Sequence, residues 1–575
     1  MKYLYKHLHL ALCALLCGAM LATEQQMVYA QGLTEAKTEF TRADTLRGTL
    51  SPLRTCYDVR FYDLHIGLNP DERTLWGYND IQFTATETFK QLQIDLFDFW
   101  TIDSIVFEQK KLHYQREFNA VFVTLPRSVS KGENASLRFY YSGKPMVAKR
   151  APWDGGFSFS KDPNGKHWIG VSCQGLGASS WYPNKDHQSD EPDSMHLSCA
   201  VPSDLYCFMN GQFRGKQDEA VTMPNGRASQ YTRYHWAVTY PINNYAVSLN
   251  IADYAPFSDY YASGKDTLRL HYYPLSSHAD KAKTHFEQVK PMLRCYEEKF
   301  GKYPFWRDGF ALVETPYLGM EHQSGIAYGN QYKQGYSGFD ITGTNIGMRF
   351  DYIIIHEAGH EWWGNSVTSA DIADMWIHEA FCTYGESMYV ECMYGKKDAI
   401  TYVNGSKKGI DNDRPIIGPY GVNKEGSGDM YGKGAVMLNT IRSIVDNDTL
   451  WFSIIKGLAE QFKHSTVTTE IIINYINQRS GKNLTPIFDQ YLRYTNIPTL
   501  EYIAKKRGKN TELRYRWIAD VPNFAMPMRL TDATGTTQTI QPTNGTWQTT
   551  TIRNTQPAQI RWAEDAFYCT LKAVK

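Results

Sequence analysis

The chain has 575 residues, with 60 Lys plus Arg balanced by 60 Asp plus Glu, so no net positive charge is available to hold a polyanion, and nucleic acid is not expected as a partner. At about 150 residues per domain this length predicts three or four domains. An apolar fraction of 42% with only 43 Gly and 24 Pro excludes disordered, collagenous and low-complexity classes.

At the N-terminus, Lys2 and Lys6 precede an apolar run from Leu10 to Ala22, and Val28-Tyr29-Ala30 offers a small-residue cleavage site. Residues 1–30 therefore read as a secretory signal peptide, and the mature chain is expected to be exported, periplasmic or secreted. No later stretch approaches the ~20 apolar residues of a membrane span. Cys13 and Cys17 each follow a bulky Leu, which disfavours a lipid anchor. The other cysteines, Cys56, Cys173, Cys199, Cys207, Cys295, Cys382, Cys392 and Cys569, are an even set. In an exported chain they predict one or two disulfides, with no pairing readable.

Across residues 45–255, alternating runs such as Tyr57-Asp58-Val59-Arg60-Phe61 and Ser136-Leu137-Arg138-Phe139-Tyr140 are separated by turn clusters such as Asn69-Pro70-Asp71 and Asn225-Gly226. This pattern predicts an N-terminal all-β domain. From 256 to 498 helical signals dominate. Phe286, Val289, Leu293, Tyr296 and Phe300 follow a 3-4-3-4 spacing, with Ser277 placed to cap the helix, Pro291 to kink it and Gly301 to end it. The Gly- and Asp-rich stretch from Asn404 to Asp429 reads as a long loop. Residues 499–575 return to Thr-rich alternation, as in Glu512-Leu513-Arg514-Tyr515-Arg516-Trp517, and predict a small C-terminal β domain. The fold class expected is multidomain α+β.

The chemistry concentrates in His356-Glu357-Ala358-Gly359-His360. Two histidines four apart on a helix share one face, about 5–6 Å apart at Cβ, and can reach one zinc ion. Such a site needs a third protein ligand and an open position for water. Glu379 lies nineteen residues past His360 on a second apparent helix and supplies the third donor. His378 beside it would point about 100° away around that helix. Trp363 and Ser366 stand where an H-x-x-G-x-x-H continuation wants Gly and His, which excludes a third ligand of that type. Glu386, two helical turns past Glu379, either orients a ligating imidazole or is a solvated carboxylate. Two neutral imidazoles and one carboxylate leave a zinc ion one net positive charge, enough to lower the pKa of a bound water toward ~7, and Glu357 can take its proton. Nitrogen and oxygen donors favour zinc.

The stretch from His356 to Gly385, with Trp362, Gly364-Asn365, Val367-Thr368, Trp376, Glu379, Phe381 and Tyr384, resembles the aminopeptidase N family of zinc exopeptidases, gluzincins related to leukotriene hydrolase. The resemblance extends over about residues 55 to 500. It implies a saddle-like N-terminal β domain, a thermolysin-like catalytic domain, one zinc ion per chain, and peptide substrates with a free N-terminus. Leu318-Gly319-Met320-Glu321-His322 is similar to the family's G-A-M-E-N strand, with His322 in place of Asn. This implies that Gly319 and Met320 lie against the substrate backbone and that Glu321 binds its amino group. Cys173-Gln174-Gly175 with Ser180-Trp181-Tyr182-Pro183 resembles a segment whose Gln also touches that group, here Gln174. Met430-Tyr431-Gly432-Lys433-Gly434-Ala435 resembles the family's Y-E-K-G-A, implying that Tyr431 donates to the developing oxyanion. The expected function is removal of N-terminal amino acids from peptides. The alternatives are a thermolysin-like endopeptidase with the same ligand set, an epoxide hydrolase side activity, and an inactive peptide-binding homologue. The oligomeric state is left open.

Overall fold

The computed structural model of the protein describes residues 39–222 and 228–575; the expected signal peptide and the Asn225-Gly226 turn lie outside them. The alternating sequences of the first half form strands. β1 (Tyr57–Asn69) and β2 (Thr74–Ala85) pair antiparallel. The turn between them is held by Asn69 Oδ1, which accepts from the backbone N–H of Asp71 and Glu72. The alternation does not run unbroken through β1. A bulge between Val59 and Phe61 shifts its phase, so Tyr62, Leu64 and Ile66 are buried while Phe61, Asp63 and His65 lie on the other face.

β3 (Ser194–Pro202) runs parallel to β1, and β4 (Ala228–Val238) lies antiparallel beyond it. They belong to an eight-stranded sheet in which β1 and β2 are central. A four-stranded and a three-stranded sheet complete this half. Their buried faces share one core that includes Tyr62, Leu64, Trp100, Tyr141, Trp181 and Trp236.

The second region opens with a five-stranded sheet containing β5 (Phe310–Glu314), β6 (Gly319–Met320) and β7 (Ile326–Tyr328). β6 is the edge strand and pairs only with β7 among the described residues. The amphipathic segment expected from Ser277 to Gly301 is divided. A helix at Ala279–His285 is followed by a 3₁₀ turn at Phe286–Gln288 and then by α1 (Val289–Phe300). The division falls just before Pro291, which has no N–H to return to the carbonyl of residue 287. Ser277 does not cap: it lies inside a 3₁₀ turn, and His278 takes the cap position without a side-chain bond. Gly301 ends α1 with φ of 94°, a conformation that costs glycine little.

α2 (Tyr352–Gly359) starts at Asp351, whose carboxylate accepts from the N–H of Ile353 and Ile354. α3 (Trp376–Tyr394) is buried along nearly its whole length, and α4 (Gly432–Val445) packs beside it. The segment expected to loop from Asn404 keeps its helix to Gly405 and a 3₁₀ turn to Gly409 before becoming irregular. Residues 499–575 form a four-stranded and a three-stranded sheet. The architecture is mixed α+β without a barrel, and no helix among the described residues is long and apolar enough to cross a membrane.

Cys295 on α1 and Cys392 on α3 form a disulfide, the pairing that spacing left open; Cys56, Cys173, Cys199, Cys207 and Cys382 are buried thiols and Cys569 is a partly buried one. The bridge closes a loop of 97 residues, for which the loss of unfolded-chain entropy amounts to about 4–5 kcal/mol. Cys392→Ser is expected to lower the melting temperature by several degrees in calorimetry while sparing the folded chain's metal content. A melting temperature equal to that of the native chain would remove the bridge from the stability of the α1–α3 pair.

Candidate metal and active site

α2 ends at His360, one turn after His356, and presents both imidazoles toward the first turn of α3, where Glu379 sits. A carboxylate at that position also gains from the helix N-terminus. His356 Nε2 and His360 Nε2 are 3.3 Å apart, and Glu379 Oε2 is 3.5 and 3.4 Å from them. For metal–ligand bonds of 2.0–2.1 Å, a tetrahedral site has donor–donor edges of about 3.3 Å. Glu379 Oε2 is buried with no hydrogen-bond partner among the described residues, which such an atom tolerates only where a cation meets it. The three residues therefore fit a zinc-class ion, with a fourth position for water or substrate.

The outer nitrogens of both imidazoles are occupied. His356 Nδ1 donates to Glu386 Oε1 at 2.7 Å, and Glu386 Oε2 accepts from the Tyr402 hydroxyl at 2.7 Å. His360 Nδ1 donates to the Trp363 carbonyl at 3.0 Å. These bonds set the tautomers so that both Nε2 atoms face the cluster. Of the two readings of Glu386, the solvated carboxylate is removed by its burial at 1% exposure. His378 stays outside: its Nε2 accepts the N–H of Ser369.

Burial works against a charged Glu379, but the two imidazoles outweigh it and hold the carboxyl well below its usual range. Burial likewise opposes charge on His356, yet the carboxylates of Glu379 and Glu386 beside it raise it to about 9. A metal ion must displace that proton to bind. Glu357, next along the helix, is pushed up to about 7 by burial, within the range of a base that works near neutrality. β6 passes directly beside it: a Cβ on Gly319 would stand 2.7 Å from Glu357 Oε1. The strand named by its resemblance thus runs along the candidate base, with Met320 buried next to it.

Glu321 follows at the end of β6, and its carboxylate, that of Glu357 and the His360 ring offer donor atoms all within 4.8 Å of one another. Gln174 Nε2 donates to Glu321 Oε1 at 2.5 Å and lies 3.4 Å from Glu379 Oε1. Tyr431, between a 3₁₀ turn and α4, lies with its ring 6.0 Å from that of His356. His322 is fully buried, and burial alone pushes it down to about 3, so it is a neutral ring. Neither of its nitrogens has a hydrogen-bond partner among the described residues. The structure thus brings His356, His360, Glu379, Glu357, Glu321, Gln174 and Tyr431 together and leaves His378 and His322 apart.

Three contributors carried no sequence signal of their role. The Tyr245 hydroxyl donates to Glu321 Oε1 at 3.1 Å, and Asn365 Nδ2 holds the Glu321 carbonyl at 2.8 Å. Tyr402 steadies Glu386. With 39 tyrosines in the chain, neither Tyr245 nor Tyr402 stands out by position.

Residues 284–491 match the Peptidase family M1 domain. A leucyl aminopeptidase of Saccharolobus solfataricus is 22% identical over 251 residues, covering 41% of this chain and 32% of its own. Aminopeptidase N of Lactobacillus helveticus is 21% identical over 483 residues, 78% of this chain and 52% of its own. The chain thus spans about a third to a half of these relatives' length. The crystal structure of an M1 zinc metallopeptidase from Deinococcus radiodurans superposes with a TM-score of 0.62 at 20% identity, covering 77% of this chain and 94% of that one, a likeness of fold. The matched segment, residues 284–491, holds His356, His360 and Glu379, so the metal cluster lies inside the part of the chain that is similar to a peptidase family M1 domain.

Among the described residues, removing the Glu386 carboxylate leaves His356 Nδ1 only the longer contact to the Tyr352 hydroxyl at 3.3 Å. Glu386→Ala is expected to weaken metal affinity by about 10–100-fold, measured as metal per chain after dialysis against graded chelator. Retention equal to the native chain would show that His356 needs no such anchor.

Proposed function

We propose that the protein is an exported zinc aminopeptidase that removes single residues from the free N-terminus of peptides. The observation that carries this reading is the placement of Glu321. A peptide's α-amino group has a pKa of about 7.7–8.0 and is mostly cationic at neutral pH. Glu321, with Gln174 and Tyr245 on its Oε1, is a buried carboxylate suited to receive that cation. Because it lies within 4.8 Å of donor atoms on both Glu357 and His360, only about one residue fits between the amino group and the bond under attack. An endopeptidase needs open cleft at that position.

His356, His360 and Glu379 would hold the ion, which when bound would supply Lewis acidity and a water of lowered pKa. Glu357, raised to about 7 by burial, would serve as the base that accepts a proton from water and returns it to the departing amine. The Tyr431 hydroxyl donates to the developing oxyanion. Glu321 fixes the substrate's register, with the backbone of Gly319 and Met320 alongside. The Lys2, Lys6 and Leu10–Ala22 pattern and the Cys295–Cys392 bridge support an oxidising compartment outside the cytosol.

Unblocked peptides should be trimmed stepwise and their N-acetylated forms resist, with Glu321→Ala raising KM and lowering kcat. Rapid internal cleavage of an acetylated peptide would overturn the reading in favour of an endopeptidase. Glu357→Gln should retain the metal and lose turnover; near-native kcat in that variant would exclude Glu357 as the base. Tyr431→Phe should lower kcat by roughly 10²–10³ with little change in KM, whereas a packing role would instead lower the melting temperature and spare the rate.

A further inference from the structure

We propose that Asp63, His65 and His196 form a second divalent-cation site, for zinc-class ions, on the outer face of the eight-stranded sheet. It shares no residue with the catalytic cluster and does not rest on the peptidase reading. Asp63 and His65 are two apart on β1 and so share a face, and the bulge before Phe61 places that face away from the core. β3 runs alongside in register, with Asp63 opposite His196 and His65 opposite Ser198. One carboxylate and two imidazoles are therefore delivered by paired strands, a stiffer support than loops.

Asp63 Oδ1 lies 2.6 Å from His196 Nδ1 and 2.8 Å from His65 Nε2, and the three donor atoms are all within 4.8 Å of one another. These are hydrogen-bond lengths, with both rings directed at the carboxylate. To admit an ion, the edges must widen by about half an ångström toward the 3.3 Å of a tetrahedral site. The three side chains are 23–29% exposed, so they can rotate that far and leave a position for water.

The protons have somewhere to go. If each ring gives up the nitrogen facing Asp63, its proton moves to the other ring nitrogen, where an acceptor already stands. His65 Nδ1 is 2.8 Å from Ser198 Oγ, and His196 Nε2 is 3.3 Å from His235 Nδ1, with the two rings stacked at 10°. This repeats the arrangement at the catalytic site, where the outer nitrogens of His356 and His360 are held by Glu386 and the Trp363 carbonyl. Two cations are nearby, and both are paired: Arg233, bonded to Ser198 Oγ, is engaged by Glu219 through two bonds of 3.0 Å, and Arg138, over the Tyr78 ring that stacks on His65, is engaged by Asp80 at 2.6 Å. Mixed imidazole and carboxylate donors select zinc, nickel, copper or cobalt over calcium or magnesium. An ion here ties β1 to β3.

The test is metal content of the full chain, equilibrated with Zn²⁺ and freed of excess by gel filtration. The native protein should carry one more ion per chain than His196→Ala or His65→Ala, with peptidase activity unchanged in both variants. Equal metal content in native and variant chains overturns the proposal. Should the variants fail to fold, the native chain alone decides by peptide mapping after diethylpyrocarbonate treatment. Modification of His65 and His196 should be suppressed by excess Zn²⁺, and labelling unaffected by Zn²⁺ overturns the site.

Discussion

The structure turns on one unfavourable act, the burial of two imidazoles and a carboxylate within 3.5 Å of one another. Such a cluster is costly in a protein interior unless a cation meets it and its outer atoms are bonded. Every neighbouring element serves one of those needs. Asp351 caps α2 so that the helix carrying both histidines starts in register, Glu386 and Tyr402 steady His356, and the backbone after His360 turns so that the Trp363 carbonyl meets its Nδ1. The disulfide between α1 and the far end of α3 ties down the helix that bears Glu379.

The surroundings of Glu321 are assembled from both halves of the chain. Gln174 follows a strand of the β region, Tyr245 sits in a 3₁₀ turn of the same region, and both converge on Glu321, which follows an edge strand of the catalytic region. Only an edge strand can serve here, because an inner strand has both sides of its backbone occupied by neighbours. The same edge strand passes so close to Glu357 that a Cβ on Gly319 would stand 2.7 Å from its Oε1.

The two histidine clusters differ in a physically informative way. In the buried one the donor atoms stand 3.3–3.5 Å apart, spaced as ligands of one ion, whereas Asp63 Oδ1 stands 2.6 and 2.8 Å from its two rings, bonded to each. Burial accounts for the contrast. Side chains packed on every side inside α2 and α3 keep one geometry, while partly exposed ones on a sheet face close onto each other and can reopen.

Much of this was legible because its information is local. The spacing of His356, His360 and Glu379 is a helix-periodic signal, and a helix rise of 1.5 Å per residue fixes what four residues bring together. Strand alternation, the Asn69-Pro70-Asp71 turn, the break near Pro291 and the stop at Gly301 are likewise written in a few adjacent residues. The Ser277 cap did not form, because a 3₁₀ turn takes up that residue, and the phase shift at the Val59–Phe61 bulge is announced by no composition rule. The rest depended on chain segments far apart in sequence. Cys295 finds Cys392 across 97 residues, Tyr245 finds Glu321 across 76, and His196 finds Asp63 across 133. By itself the sequence determined the metal-binding helix pair and the α+β order, since periodicity suffices for both. Only the tertiary structure decided which tyrosine, which cysteine and which face of β1 take part, because those choices follow from packing and strand register, which adjacent residues do not encode.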